Sequence, residues 1–455
     1  VNGRVSRIAE MKVLRAHYYF ELSRLFNKIP YFDENVEISQ YPDIPNNEFT
    51  RDEILSMLAK EMLDAAEQLP ASQPEVGRIH KYIALAYAAK IKLYQAYQQD
   101  ETTHAVTSIN KELLREVVSL CDQVTASNRY GLLDDFQGLD LVANENGKES
   151  VFAIQYSMND GTESAGRINW SNLLNSPGGG SPYGGDGFFL PSQDLINAYQ
   201  TDANGLPDFN YQSKSDYSWA VLNNGVYTLQ NTTPNVDPRL DFVVGRPTIT
   251  WKTYPDKPCE GWVRDKDTYG YNCAKRFWVS PESSDMFNGW PWGASQLNWQ
   301  IIRYADILLW KAEALIELNE GNGLETARDL INQIRNRARN SAYVKDFNDH
   351  SKYAANYLVN PYPADVWNQD YARQALRWET RLEKALEGER FFDLVRWGIV
   401  ETTMNKYITA ESDNRIYYAN AHFTGGKDEY YPVPNNQYGF SGGKYVQNPG
   451  YAPFN

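Results

Sequence analysis

The opening stretch of the chain is patterned for helices. Met11, Leu14, Tyr18, Leu22 and Leu25 recur at three- and four-residue intervals, and Pro30 stops the run. Thr50 and Glu53 stand as a capping box ahead of a second stripe, Ile54, Leu58, Met62, Ala65 and Leu69, which Pro70 ends. From Ile79 to Tyr97 the residues are apolar or small on nearly every side, through Ala84, Ala86, Ala88 and Ala89, so this helix needs neighbours on two faces. Ile109, Leu113, Val117, Leu120 and Val124 predict a fourth helix.

The pattern then changes. Between roughly Arg129 and Asn298, Gly, Pro, Asn and Asp punctuate short apolar runs, and alternating fragments such as Val151 to Tyr156 predict only small strands. A mostly irregular insertion of that length is uncommon in a compact domain unless it carries function. Helical spacing returns with Ile302, Ala305, Leu309, Ala312 and Ile316, and again with Leu324, Ala327, Ile331, Ile334 and Ala338, the two separated by Gly321 and Gly323. A further helix runs from Tyr371 to Leu386, and a Gly/Pro/Tyr-rich tail follows from Tyr417. The expected division is a helical scaffold over 1–128, an irregular aromatic-rich ligand-binding insertion over 129–298, and the second part of the scaffold with its tail over 299–455. Paired amphipathic helices with small residues at their crossings point to tetratricopeptide-type stacking. The chain has no strict repeat of about 34 residues, so generic helical packing fits the spacing equally well.

Composition narrows the function classes. With 455 residues and 42% hydrophobic content the chain can bury a full core, and a net charge of −14 opposes a phosphate backbone, which argues against nucleic acid as a partner. No apolar run approaches the roughly 20 residues that span a bilayer. A helical pattern is already running by Ile8, so a targeting segment is expected to lie upstream of Val1. Cys121 sits on a helical stripe as a small core residue, whereas Cys259 and Cys273 bracket a loop containing Pro258, Gly261 and Gly270, where a disulfide in an oxidising compartment and two free thiols are both open. No Cys/His spacing marks structural zinc.

Enzyme signatures fail one by one. Gly439-Phe-Ser441-Gly-Gly443 fits the letters of a nucleophile elbow, yet no Asp, Glu or His follows Ser441. The five histidines form no HExxH pair. Asp202, Asn204 and Gly205 resemble a fragment of a calcium loop without its remaining ligands and read as a tight turn. The Arg and Glu residues between Arg373 and Arg390 include like-charge pairs at i,i+4, such as Arg373 with Arg377, which require opposite charges on neighbouring helices and predict a structural ion-pair network.

What stands out is aromatic. Of 32 Tyr and 12 Trp, seven tryptophans (Trp170, Trp219, Trp251, Trp262, Trp278, Trp290 and Trp292) fall inside the insertion, where no helix stripe requires them. A sugar offers an apolar face of C–H groups and a rim of hydroxyls, so it stacks on a flat ring while neighbouring polar groups satisfy its edge. A long loop also needs its own small core, which competes for each ring individually. Trp290 and Trp292, held in Gly289-Trp-Pro-Trp-Gly293, form the best candidate pair. Trp262 with Arg264 and Tyr269 with Tyr271 follow, and Trp251, Trp278, Trp170 and Tyr183 complete the set of expected ligand contacts.

Several segments together resemble the SusD/RagB family of surface lipoproteins. They are Ala9 to Pro30 (AEMKVLRAHYYFELSRLFNKIP), Gly187 to Asp202 (GFFLPSQDLINAYQTD), Asp237 to Leu240 (DPRL), Trp299 to Leu315 (WQIIRYADILLWKAEAL) and Ile331 to Ala338 (INQIRNRA). Ala375 to Gly398 (ALRWETRLEKALEGERFFDLVRWG), Tyr431 to Pro434 (YPVP) and Gln447 to Tyr451 (QNPGY) follow in the family's order. The resemblance implies a mainly α, tetratricopeptide-like scaffold with a long irregular loop insertion and a few short strands. It implies a non-catalytic protein without cofactor or metal that captures an oligosaccharide and delivers it to a SusC-like, TonB-dependent outer-membrane barrel. The alternative within the family is a RagB-type peptide-binding lid. It further implies an outer-membrane, surface-exposed lipoprotein whose anchor lies outside this sequence.

Overall fold

The computed structural model describes residues 2–162, 166–170, 172–175, 178, 180–252, 254–287 and 293–454. Helices α1 (Asn2–Phe26), α2 (Arg51–Gln68), α3 (Lys81–Ala96) and α4 (Lys111–Ala126) each pack on the next in the chain. The capping box forms as read: the Thr50 hydroxyl accepts from the Glu53 N–H, and the Glu53 carboxylate accepts from the Thr50 N–H at 2.8 Å. Twelve of the sixteen residues of α3 are buried, because α2 and α4 both pack against it. Ile109 does not open α4. It ends strand β2 (Val106–Ile109), which pairs with β1 (Tyr97–Gln99), and Asn110 caps α4 by accepting from the Glu112 and Leu113 N–H groups.

The first helix turns a different face inward than its large residues predict. Ala9, Val13, Ala16 and Phe20 are buried, whereas Met11 and Tyr18 are 64% and 69% exposed. The two alanines let α1 approach its neighbour closely, and close approach outweighs side-chain size in choosing the contact stripe.

The region between α4 and the late helices is built from short pieces: β3 (Ser150–Ile154), α5 (Asn172–Asn175), α6 (Gln193–Ala198), β4 (Gln200–Thr201), the hairpin β5 (Trp219–Asn223) and β6 (Val226–Gln230), β7 (Asn235–Val236), α7 (Arg239–Val243), β8 (Val244–Gly245), β9 (Thr250–Trp251), β10 (Tyr254–Pro258), α8 (Lys266–Tyr269), β11 (Cys273–Ala274) and β12 (Trp299–Arg303). Every sheet among the described residues is two-stranded and antiparallel. The late helices are α9 (Tyr304–Leu318), α10 (Gly323–Asn340), α11 (Gln369–Glu383), α12 (Arg390–Arg396), α13 (Val400–Ser412) and α14 (Asn435–Phe440). Helix α9 packs on α4, so the scaffold continues across the inserted region as though it were absent. Strands β3 and β12 pair at the neck of that region, Ser150 opposite Arg303 and Ile154 opposite Trp299.

A buried ionic lattice ties the parts together. Arg239 holds Asp237, Glu379 and Glu383; Arg335 holds Glu379; Arg337 and Arg303 both hold Glu149 and Glu383. Arg303 continues to Glu387, which also meets Arg276 and Lys384; Lys384 reaches Asp306, and Arg276 shares Asp140 with Lys252. These seven cations and seven carboxylates balance in charge. Burial alone would raise the Glu383 carboxyl, but Arg337, Arg303 and Arg239 hold it down to about 2. The charged run predicted to be structural therefore is: Arg373 pairs with Glu317, Arg381 with Asp194, and Glu379, Glu383 and Glu387 sit inside the lattice. Such a lattice registers α7, α10, α11 and the start of α9 against one another, since every member needs its partner in place.

Candidate functional site

The predicted ligand contacts separate into three groups. Trp251, Trp262, Trp278 and Tyr183 pack with Cys259, Val263 and Cys273 into the inserted region's own core. The ring centroids of Trp251 and Trp262 are 4.9 Å apart, those of Tyr183 and Trp278 are 4.8 Å apart, and the Trp251 indole N–H donates to the Tyr183 hydroxyl at 2.9 Å. These four are at most 4% exposed, so the expectation that they meet ligand is corrected: an irregular region without long elements draws its packing from large rings. Trp290 and Trp292 lie outside the described residues. Trp170, Tyr269 and Trp219 remain about half exposed, Arg264 is exposed, and Tyr271 is half-buried with its ring 5.4 Å from Tyr227 of β6.

Tyr269 leads to the site. It ends α8, followed by Gly270 at φ 78°, a left-handed turn in which a Cβ would collide with the Arg415 guanidinium. Its ring lies 5.9 Å from that of Tyr417, which in turn lies 4.6 Å from Tyr418. The Tyr418 hydroxyl meets that of Tyr407, on α13, at 3.2 Å. Together with Asp186, Phe188, Leu190, Pro191, Ser192, Glu411 and Arg415 these tyrosines line a cleft of 380 Å³. Phe188 and Tyr417 are 63% and 51% exposed, so both rings are open to solvent. Arg264 donates to the Gly185 carbonyl at 2.7 Å and reaches Asp186 at 3.4 Å, setting one rim.

The polar floor is anchored from the scaffold. Ser192 caps α6 by accepting from the Leu195 N–H, and Asp194 is held by the Tyr211 hydroxyl and by Arg381, both at 2.6 Å. Glu411, near the end of α13, accepts the Asp194 N–H with one oxygen, while its buried Oε2 has no hydrogen-bond partner among the described residues. Burial pushes the Glu411 carboxyl above its ordinary range, against the lowering by the Asp194 N–H and Arg415. The cleft therefore combines exposed aromatic rings with a guanidinium, a carboxylate and a carboxyl biased toward its neutral form, which suits a neutral ligand with one apolar face and many hydroxyls.

A larger cavity of 970 Å³ lies among residues 133–148 and 242–285 of the inserted region and residues 342–350. Of its aromatic members Phe136, Phe242 and Trp278 are at most 3% exposed, and Tyr343 is half-buried. Lys275 beside it is pushed down to about 8 by burial, and its ammonium donates to the Asp241 and Thr250 carbonyls. Asp202 makes the predicted tight turn, accepting from the Asn204 and Leu206 N–H groups at 2.8 and 2.9 Å. Ser441 follows helix α14 and donates to the Tyr438 carbonyl, which is not the strand-to-helix setting of a nucleophile elbow. Among the described residues no group of three or more His, Cys, Asp or Glu is placed to hold a metal ion, and no helix is long and apolar enough to cross a membrane.

Sequence reasoning reached Tyr269 and Arg264 and missed Phe188, Tyr407, Glu411, Arg415 and Tyr417. One signal was present: adjacent large rings, as in Phe188-Phe189 and Tyr417-Tyr418, cannot both turn into one core from an irregular segment.

Comparison with known proteins agrees with this architecture. The sequence model of the SusD family matches residues 148–451. A SusD-like protein of Bacteroides ovatus is 22% identical over 414 residues, covering 87% of this chain, and this chain spans 59% of that protein's length. The structure of a SusD-like protein from Bacteroides fragilis superposes with a TM-score of 0.66 at 22% identity, over 99% of this chain and 80% of that one. Surface glycan-binding protein A from Bacteroides thetaiotaomicron, solved in complex with laminarihexaose, superposes with a TM-score of 0.61 at 16% identity, over 98% of this chain and 79% of that one. The chain belongs to the SusD family, with that family's helical fold.

Proposed function

From membership of the SusD family and from the exposed rings of the cleft, we propose that the chain captures an oligosaccharide at the cell surface and delivers it to a SusC-like, TonB-dependent outer-membrane barrel. Tyr269, Tyr417 and Phe188 stack against sugar faces, and Arg415, Asp186 and Glu411 bond the hydroxyl rim. The carrying observation is the convergence of three exposed rings on a floor of charged and polar groups, contributed jointly by the inserted region and the end of α13. That a structurally similar protein was solved with laminarihexaose supports a glucan as the first ligand to try.

The test is titration calorimetry of the protein against a panel of purified oligosaccharides that includes laminarihexaose. Heat of binding for at least one glycan, lost in a Tyr269→Ala/Tyr417→Ala double variant that keeps its melting temperature, is the expected result. Silence across the panel with binding of extended peptides would overturn it in favour of a peptide receptor.

A further inference from the structure

The loop that carries Trp262, Arg264, Tyr269 and Tyr271 starts at Cys259 and ends at Cys273. Both thiols are free in the structure, and both residues are 0% exposed within the same small core. Cys273 stands directly opposite Gly245 on the β8–β11 ladder. Side-chain positions of such a pair share one face of the ladder, with Cβ sites about 5 Å apart. A Cβ built on Gly245 would lie 3.6 Å from the Cys259 sulfur. The Trp251 ring fills the space that Gly245 leaves by lacking a side chain, and the Cys259 sulfur lies beside it on the same face of the ladder as the Cys273 side chain. The two sulfurs are close enough for the Cys259 group to act on Cys273 as a hydrogen-bond neighbour, and burial, with that contact adding to it, pushes the Cys273 thiol far above its ordinary range.

We propose that Cys259 and Cys273 are the two halves of a disulfide that forms as the protein is exported and closes the loop presenting the rim of the cleft. The proposal rests on the surface placement argued above, because such a bond persists only in an oxidising compartment. A dithiol oxidase of the thioredoxin type, in its disulfide form, is the oxidant. One cysteine loses its proton and attacks the oxidase disulfide to give a mixed disulfide. The second thiolate then attacks that bond and releases the oxidase as a dithiol, so two electrons and two protons pass from the chain to the oxidase. Neither sulfur reaches solvent once the small core closes, and the raised Cys273 thiol provides almost no thiolate there, so exchange precedes that closure and the folded reduced protein oxidises slowly. Cys121, buried on α4 in a different core cluster with its thiol pushed up to about 12, stays reduced and serves as an internal control.

The full chain is produced once with a periplasmic export signal and once in a reducing cytoplasm. Each sample is denatured with an alkylating reagent present and its mass measured, then digested without reductant. The exported chain is expected to take a single alkyl group and to yield one cross-linked fragment containing Cys259 and Cys273, whereas the cytoplasmic chain takes three alkyl groups. Alkylation of all three cysteines in the exported chain overturns the proposal. The readout does not involve glycan: a bonded chain that ignores every sugar refutes the binding function alone, and a sugar-binding exported chain with three free thiols refutes the disulfide alone.

Discussion

Arg239 and Glu379 are separated by 140 residues in sequence, yet the guanidinium donates to the carboxylate at 2.6 Å with neither side chain reaching solvent. Arg239 belongs to the Asp-Pro-Arg turn of the inserted region and Glu379 to α11, so this contact fastens the irregular region to the scaffold. Glu379 also takes Arg335 at 3.1 Å, which makes it a junction rather than one end of a pair.

Glu379→Ala leaves two buried guanidiniums short of a carboxylate, and breaking a buried pair in this way costs about 3–5 kcal/mol. Urea denaturation is expected to register that loss. Lys60→Ala, which removes an exposed i,i+4 partner of Asp64, is expected to change stability by no more than about 0.5 kcal/mol.

Acid should weaken the fold through the same lattice. Glu383 is held near 2, and Glu387 and Asp140 also lie below their ordinary values because neighbouring cations overcome the upward push of burial. With folded values depressed, the unfolded chain takes up protons first, so stability is complete above the ordinary carboxyl value near 4.5 and is lost as pH falls toward about 2. Denaturant midpoints measured across that window should decline steadily, and a flat profile would show that the lattice carboxylates are not coupled to folding.

Glu411 has the opposite sign. Its folded value is raised, so ionisation penalises the folded state as pH climbs through that value. Glu411→Gln keeps an acceptor for the Asp194 N–H and removes the penalty. The variant is expected to melt above the unsubstituted protein at about pH 8 and with it at about pH 4, where an ordinary carboxyl is substantially protonated. Equal melting temperatures at both values would remove the burial argument for this residue.

Tyr417→Ala and Trp262→Ala should fail in different ways. The first removes an exposed ring, and calorimetry is expected to show roughly tenfold weaker glycan binding with an unchanged melting temperature. The second opens a hole in the small core at a cost of about 3–5 kcal/mol, visible in denaturation before any binding measurement.

Gly270→Ala tests the turn that admits Arg415. A side chain there is strained by the positive φ and displaces the guanidinium, so affinity is expected to fall while the buried lattice, to which Gly270 contributes nothing, keeps its acid profile.

The scaffold was legible because helical periodicity, caps and proline stops are local signals: Thr50 with Glu53 and the stripe on α9 needed no knowledge of distant residues. The α1 face was misread because Met11 and Tyr18 are larger than Ala9 and Ala16, and periodicity does not register the value of close approach. Charge spacing around Glu379 and Glu383 announced an ion-pair lattice but not its partners, which come from α7, α10 and Arg303 at the end of β12. The cleft was the least legible part. Tyr269 and Tyr417 are brought together by tertiary structure alone, and beyond the doubled rings at Tyr417-Tyr418 the sequence carries no mark that distinguishes a packed tryptophan such as Trp251 from an open tyrosine.

The paired strands at the neck, Ser150–Ile154 with Trp299–Arg303, bring both ends of the inserted region to a single point beside α3 and α9. A chain organised this way can exchange its inserted region as a cassette, much as an instrument changes heads on a fixed mount. Any transplanted cassette must bring a matching Asp237 and Arg239, or the acidic sockets on α11 are left without their plug.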